Sequence, residues 1–142
     1  MRIFLFCMLA LLAGPLRAAE DLRQLAPMPA AAAANLRAEM RASLLALNEI
    51  IGLVATGKLK EAGELAEKEL GTSAMGKYRG QPFDARPGPH MPPAMHAIGM
   101  DGHRAASAFA RLAASGDREQ TMAALPSLTT ACVSCHYAYR IR

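Results

Sequence analysis

The sequence predicts an all-α protein, a four-helix bundle, and three observations carry that expectation. Apolar residues recur at steps of three and four in four separate stretches, the spacing of one face of a helix. Gly57, Gly71 and Gly116 close three of these stretches, and Pro92-Pro93 opens another. No stretch shows the two-residue alternation of a half-buried strand. Four amphipathic helices with two short connections and one long one make a bundle.

The first helix is expected over Ala30 to Ala55, ending at Gly57, with an inner stripe of Leu36, Met40, Leu44, Leu47, Ile51 and Val54. Arg37, Glu39, Arg41 and Glu49 fall off the stripe and face water. The second runs from about Leu59 to Leu70 and is closed by Gly71, with Leu59, Ala62, Ala66 and Leu70 inside. Residues 72–91 hold several prolines and glycines and read as a long irregular connection, a length that in compact domains often has a function. Tyr78, Phe83 and His90 are candidates there for a pocket edge, against plain surface packing.

The third helix starts at Pro92-Pro93 and reaches about Ser115, with Met95, Ile98, Gly102, Ala105, Phe109 and Leu112 inward. Asp117 suits the cap of a fourth, with Glu119 and Gln120 in its first turn. Met122, Leu125, Leu128, Cys132, His136 and Tyr139 share one face of it. Pro126 removes a backbone donor and predicts a kink near Met122 rather than a break.

Ahead of the bundle, Met1-Arg2 precedes an apolar run from Ile3 to Ala13, and small residues follow at Ala18-Ala19. A positive start, a short apolar stretch and a small-residue cut site describe a signal peptide over residues 1–18. The run falls short of the ~20 apolar residues that a bilayer span needs. Export through the signal places the mature chain in the periplasm, and residues 19–29 read as a mobile lead. The single domain is then residues 30–142.

Removing Arg2 and Arg17 from sixteen basic residues leaves fourteen against twelve acidic ones, so the basic balance gives no support for nucleic-acid binding. Cys7 leaves with the signal, and two of three cysteines remain. Large side chains are scarce: Phe83, Phe109 and three tyrosines are the only aromatics beyond the signal, among many alanines. So small a domain struggles to bury enough apolar area unaided, and a bulky planar cofactor among the helices would supply it.

Both remaining cysteines lie in Cys132-Val133-Ser134-Cys135-His136. On a helix, residues three and four apart are neighbours, so two thiols and one imidazole come to adjacent positions. That set can form two thioethers to one porphyrin edge and reach its iron from the same side. Cys-x-x-Cys-His is the attachment signature of heme c. A thioredoxin-like pair would need a βαβ context, and a structural zinc site would need further closed ligands. Neither is present in the sequence, so one covalently bound heme c is expected on the last helix.

The ending from Asp117 to Arg142, with Cys132-Val-Ser-Cys-His136-Tyr-Ala-Tyr-Arg140, resembles the C-terminal helix of the cytochrome c prime family, the class II c-type cytochromes. Helix lengths and the glycine stops extend the resemblance loosely over the mature chain, and residues 72–93 depart from it. The resemblance implies an exported four-helix bundle in a bacterial periplasm, with Cys132 and Cys135 as thioethers and His136 as proximal iron ligand. It places Arg140 one turn after His136, beside a propionate or the imidazole. The plain alternative is a solvated charge favoured by the helix dipole.

In that family a first-helix residue covers the other heme face. A methionine there gives a closed six-coordinate iron, and an apolar side chain leaves it open to gases. Met40 is the candidate sixth ligand, against a role as core filler, and the family's position falls on Met40 or Arg41. His/Met coordination favours reduced iron and a raised potential. His96, Met100 and His103 also carry donor atoms, on another face of the third helix.

The expected function is a periplasmic monoheme cytochrome moving single electrons between redox partner proteins. The alternative is a five-coordinate cytochrome c prime-like protein binding nitric oxide or carbon monoxide. No catalytic residue is expected, since no arginine-histidine pair is placed for acid–base work at a heme. No membrane span is expected after signal cleavage, and the resemblance allows a homodimer through the first two helices.

Overall fold

The computed structural model describes residues 19–142, so the signal-peptide expectation for residues 1–18 lies outside the described residues. Four α-helices dominate: α1 Ala30–Ala55, α2 Leu59–Glu69, α3 Pro93–Ala114 and α4 Arg118–Ala138. They form an all-helical bundle in which α1 lies on α2, α2 on α3 and α3 on α4. None is long and apolar enough to cross a membrane, among the described residues.

The helix ends follow from local chemistry. Gly57 and Gly116 both sit at φ +78°, a left-handed conformation that only glycine adopts without cost, and each closes the helix before it. Gly71 stops α2 for a different reason. Its φ is negative, but a Cβ there would come within 2.6 Å of the Glu67 side chain. Asp117 caps α4 as its sequence suggests, accepting from the Gln120 backbone N–H at 2.9 Å. Helix α4 then runs on through Pro126.

The main core joins Ile50 and Val54 of α1, Leu59, Ala62 and Ala66 of α2, Ala106, Phe109 and Ala113 of α3, and Leu128 of α4. Alanines at these positions let helices approach closely, and Gly63 takes this further. A Cβ on Gly63 would stand 2.9 Å from the Ala110 carbonyl oxygen.

The inner face of α1 is rotated from the expected stripe. Ala32, Ala33, Leu36, Ala46, Ile50 and Val54 are buried, whereas Leu44 is 68% and Ile51 47% exposed. The helix carries two overlapping apolar stripes, and the bundle uses the one with small residues at the contact. On α4, Met122 is likewise exposed while Thr121 and Leu128 are buried.

Two further differences lie at the ends. The lead expected as mobile contains a strand, β1 Gln24–Leu25, paired in parallel with β2 Tyr139–Arg140. The Ala26 N–H donates to the Arg140 carbonyl at 2.8 Å, and Ala26 is buried. Tyr139 therefore leaves the helical face on which its spacing had placed it. The long connection is also more ordered than its composition suggests, with 3₁₀ turns at Thr72–Ala74, Phe83–Ala85 and Gly88–His90. The Asn35 amide donates to the Ala85 carbonyl at 2.8 Å, and the Tyr78 hydroxyl to the Asn35 carbonyl at 3.0 Å, so the connection is fastened to α1.

Candidate functional site

Helices α1 and α4 touch at few points. Their closest approach is a second small core, in which Leu36 joins Ala26 and Met95, with Cys135, Tyr139 and Ile141 packed against it. Between α1, α3, α4 and the 72–91 connection lies a cleft of about 820 Å³. That volume falls within the roughly 300–1,000 Å³ of small-molecule and cofactor sites.

Cys132, Cys135 and His136 all line this cleft, because their three- and four-residue spacing on α4 puts them on one face. Both cysteines are free thiols; Cys132 is exposed and Cys135 half-buried. Burial, and then the neighbouring Cys132, push the Cys135 thiol up from its ordinary value.

Met40 lines the cleft from α1 and is 38% exposed, while Leu44, one turn further on, does not line it. Arg140 lines it too, but by a different route from the one its spacing suggested. The helix ends at Ala138, so Arg140 lies on β2 rather than one turn along α4. Its Nε donates to the Arg23 carbonyl at 3.2 Å and lies 3.7 Å from Asp21 Oδ2. The Arg23 guanidinium, with a smaller contribution from Arg140, holds the Asp21 carboxyl down to about 2.

Of the three candidates in the long connection, Tyr78 lines the cleft, and burial raises its phenol. Phe83 and His90 do not; their rings meet edge-on at 4.9 Å outside it.

Helix α3 contributes Met95, His96, Met100 and His103 to the wall. The His103 Nδ1 faces the carbonyls of Leu70 and Gly71 at 2.8 and 3.1 Å. Carbonyls can only accept, so Nδ1 carries the proton, and in the neutral ring the lone pair is on Nε2. A lone pair so fixed is an acceptor or a metal donor.

Sequence reasoning missed two parts of the wall. Tyr78 apart, residues 75–79 and 86–89 also line the cleft, although their glycines and prolines gave no periodicity to place them. The second part is the charge of the rim. Arg23, Arg37, Arg41, Lys77, Arg79, Arg86 and Arg140 line the cleft, with Glu39 and Glu69 the only carboxylates among its lining residues.

The donor set fits a heme. Two thiols and an imidazole share one wall, thioethers stand on the others, and cations at the rim can meet carboxylates of a bound group. Compared with known family models, with curated proteins and with solved structures, the chain matches none.

Proposed function

We propose that the protein is an exported monoheme c-type cytochrome of the cytochrome c prime kind that carries single electrons between redox partner proteins. One observation carries the reading: Cys132, Cys135 and His136 line a single cleft of cofactor size that Met40 lines from another helix. Heme c, when bound, supplies a one-electron couple at iron.

The chain's own residues do the rest. Cys132 and Cys135 would hold the group covalently, so that an exported carrier does not lose it. His136 provides a nitrogen ligand, and its backbone carbonyl accepts from the Arg23 guanidinium at 3.4 Å, which ties α4 to the lead. Met40 would provide a soft thioether ligand, which favours the reduced metal. Rim arginines receive the carboxylates. The apolar side chains of Leu36, Met91, Met95 and Ile141 keep water from the interior. Leu44 and Ile51, exposed two turns apart on one side of α1, form the apolar face that a second copy of the chain would cover.

The test is the visible absorption spectrum of the purified, reduced protein before and after carbon monoxide. A sharp low-spin spectrum indifferent to the gas is the expected result. A high-spin spectrum that shifts with the gas overturns electron carriage in favour of nitric oxide or carbon monoxide binding. A protein without covalent pigment after expression in a host that matures c-type cytochromes overturns the heme reading itself.

A further inference from the structure

We propose that the mouth of the cleft is a docking surface for the acidic face of a protein partner, a redox protein on the electron-carrier reading above. The docking surface itself rests on where the charges lie. Positions 19–142 hold fourteen lysines and arginines, and seven of them line this one cleft. They also hold twelve aspartates and glutamates, of which only two do. The chain is close to balanced in charge, so the cations are gathered here rather than merely abundant.

Internal pairing does not remove this excess. Asp21 answers Arg23 and Arg140, and Glu69 answers Lys77 at 3.7 Å. Arg41, Arg79 and Arg86 lie within 4.0 Å of no aspartate or glutamate among the described residues, while the Arg37 guanidinium donates to the Arg142 main-chain oxygen. The Arg86 Nε donates to the Gln81 carbonyl at 2.6 Å, which fixes its position and leaves its charge uncompensated. Two propionates of a bound heme would cancel two cations and leave a positive ring.

Carboxylates collect elsewhere. Glu61 and Glu64 stand exposed on the outer side of α2, and Glu119 on the first turn of α4. Seven cations against two carboxylates in its lining give the cleft a positive local field. Such a field orients an approaching anionic surface, raises the association rate and weakens with salt. A membrane is a poorer occupant, because the cations ring a concave opening instead of lying on a flat face with apolar residues between them.

The experiment uses the exported, heme-loaded protein and fluorescently labelled poly-L-glutamate as an acidic polypeptide probe, read by anisotropy. Binding is expected at about 10 mM salt and release by about 200 mM. Arg41→Glu with Arg79→Glu should weaken binding at least about tenfold. Lys60→Glu with Arg111→Glu changes net charge equally away from the cleft and should weaken it by less than about twofold.

A second readout is oxidation of the reduced protein, in which the iron loses one electron to the reagent with no proton transferred. Hexacyanoferrate(III), a trianion, should react more slowly with the rim variant, and a tris(phenanthroline)cobalt(III) trication faster. Equal weakening by both charge reversals overturns the docking surface, as does salt-indifferent binding. Co-sedimentation with phosphatidylglycerol-containing vesicles, without competition from poly-L-glutamate, overturns the protein partner in favour of a membrane. Covalent heme is read separately from its absorbance, so its absence would refute the cytochrome reading and leave the charge test standing.

Discussion

Replacing Met40 separates a metal ligand from a packing residue, because the two roles predict opposite proportions of damage. A fully buried methionine cut to alanine costs about 2–5 kcal/mol, from lost transfer energy and the cavity left behind. Met40 is 38% exposed, so much of its surface has nothing packed on it. The packing loss for Met40→Ala should then be roughly 1–2 kcal/mol, and Met40→Leu, which keeps the volume, should cost less than about 1.5 kcal/mol. A ligand, by contrast, is lost completely in either variant. The expected pattern is a full change from low spin to high spin, with new carbon monoxide binding, alongside a modest fall in stability. Visible spectra with and without the gas, paired with urea unfolding followed by circular dichroism, measure both quantities on one sample. If both variants remain low-spin and indifferent to carbon monoxide, Met40 is not the ligand, and His103, whose Nδ1 proton is fixed on two carbonyls, becomes the next residue to replace.

Other predictions address attachment, core and pH. Cys132→Ala combined with Cys135→Ala should abolish covalent heme, seen as loss of pigment from the denatured chain on a gel, and the apoprotein should melt without a sharp transition. Phe109→Ala should cost about 3–5 kcal/mol in urea unfolding, since the alanines around this fully buried ring cannot grow into its space. A loss below about 1 kcal/mol would mean the core is not where these helices place it. Hydroxyls of Ser107 and Ser73, with the Ser73 N–H and the Thr72 hydroxyl, hold the Glu67 carboxyl down to about 2 from 4.5. A depressed carboxyl contributes stability that is complete above about pH 4.5 and lost as pH falls toward 2. Solvent screening limits this to about 1 kcal/mol, so Glu67→Gln should be destabilised by that much at pH 7 and show a flatter acid limb.

The helices were legible because periodicity and punctuation are local. Gly57, Gly116 and the Asp117 cap act through their own backbone, and each boundary falls close to where those residues put it. The choice of inner face on α1 was less legible. Leu44 and Ile51 sit at proper helical spacing, yet Ala46 and Ile50 are what the bundle buries, because contact distance is set jointly by α1 and α2. That Cys132, Cys135 and His136 share one face of α4 was foreseeable from residue spacing alone. The pairing of Gln24 with Tyr139 was not, since two-residue strands carry no alternation to detect. Nor was the gathering of the rim cations, whose members come from distant parts of the chain.

The short parallel pairing at the chain's ends also bears on the order of assembly. Arg23 and Arg140 stand 117 positions apart, so joining them in an otherwise unfolded chain would cost about 4 kcal/mol in loop closure, for very few hydrogen bonds. Once the helices have collapsed, the same ends are already neighbours and the cost nearly vanishes. The pairing is thus a latch that closes after the bundle forms and opens before it melts. The Ala26 amide should exchange its hydrogen well ahead of those around Phe109. Because Cys135 and His136 lie just before this latch, its fraying loosens the wall of the cleft.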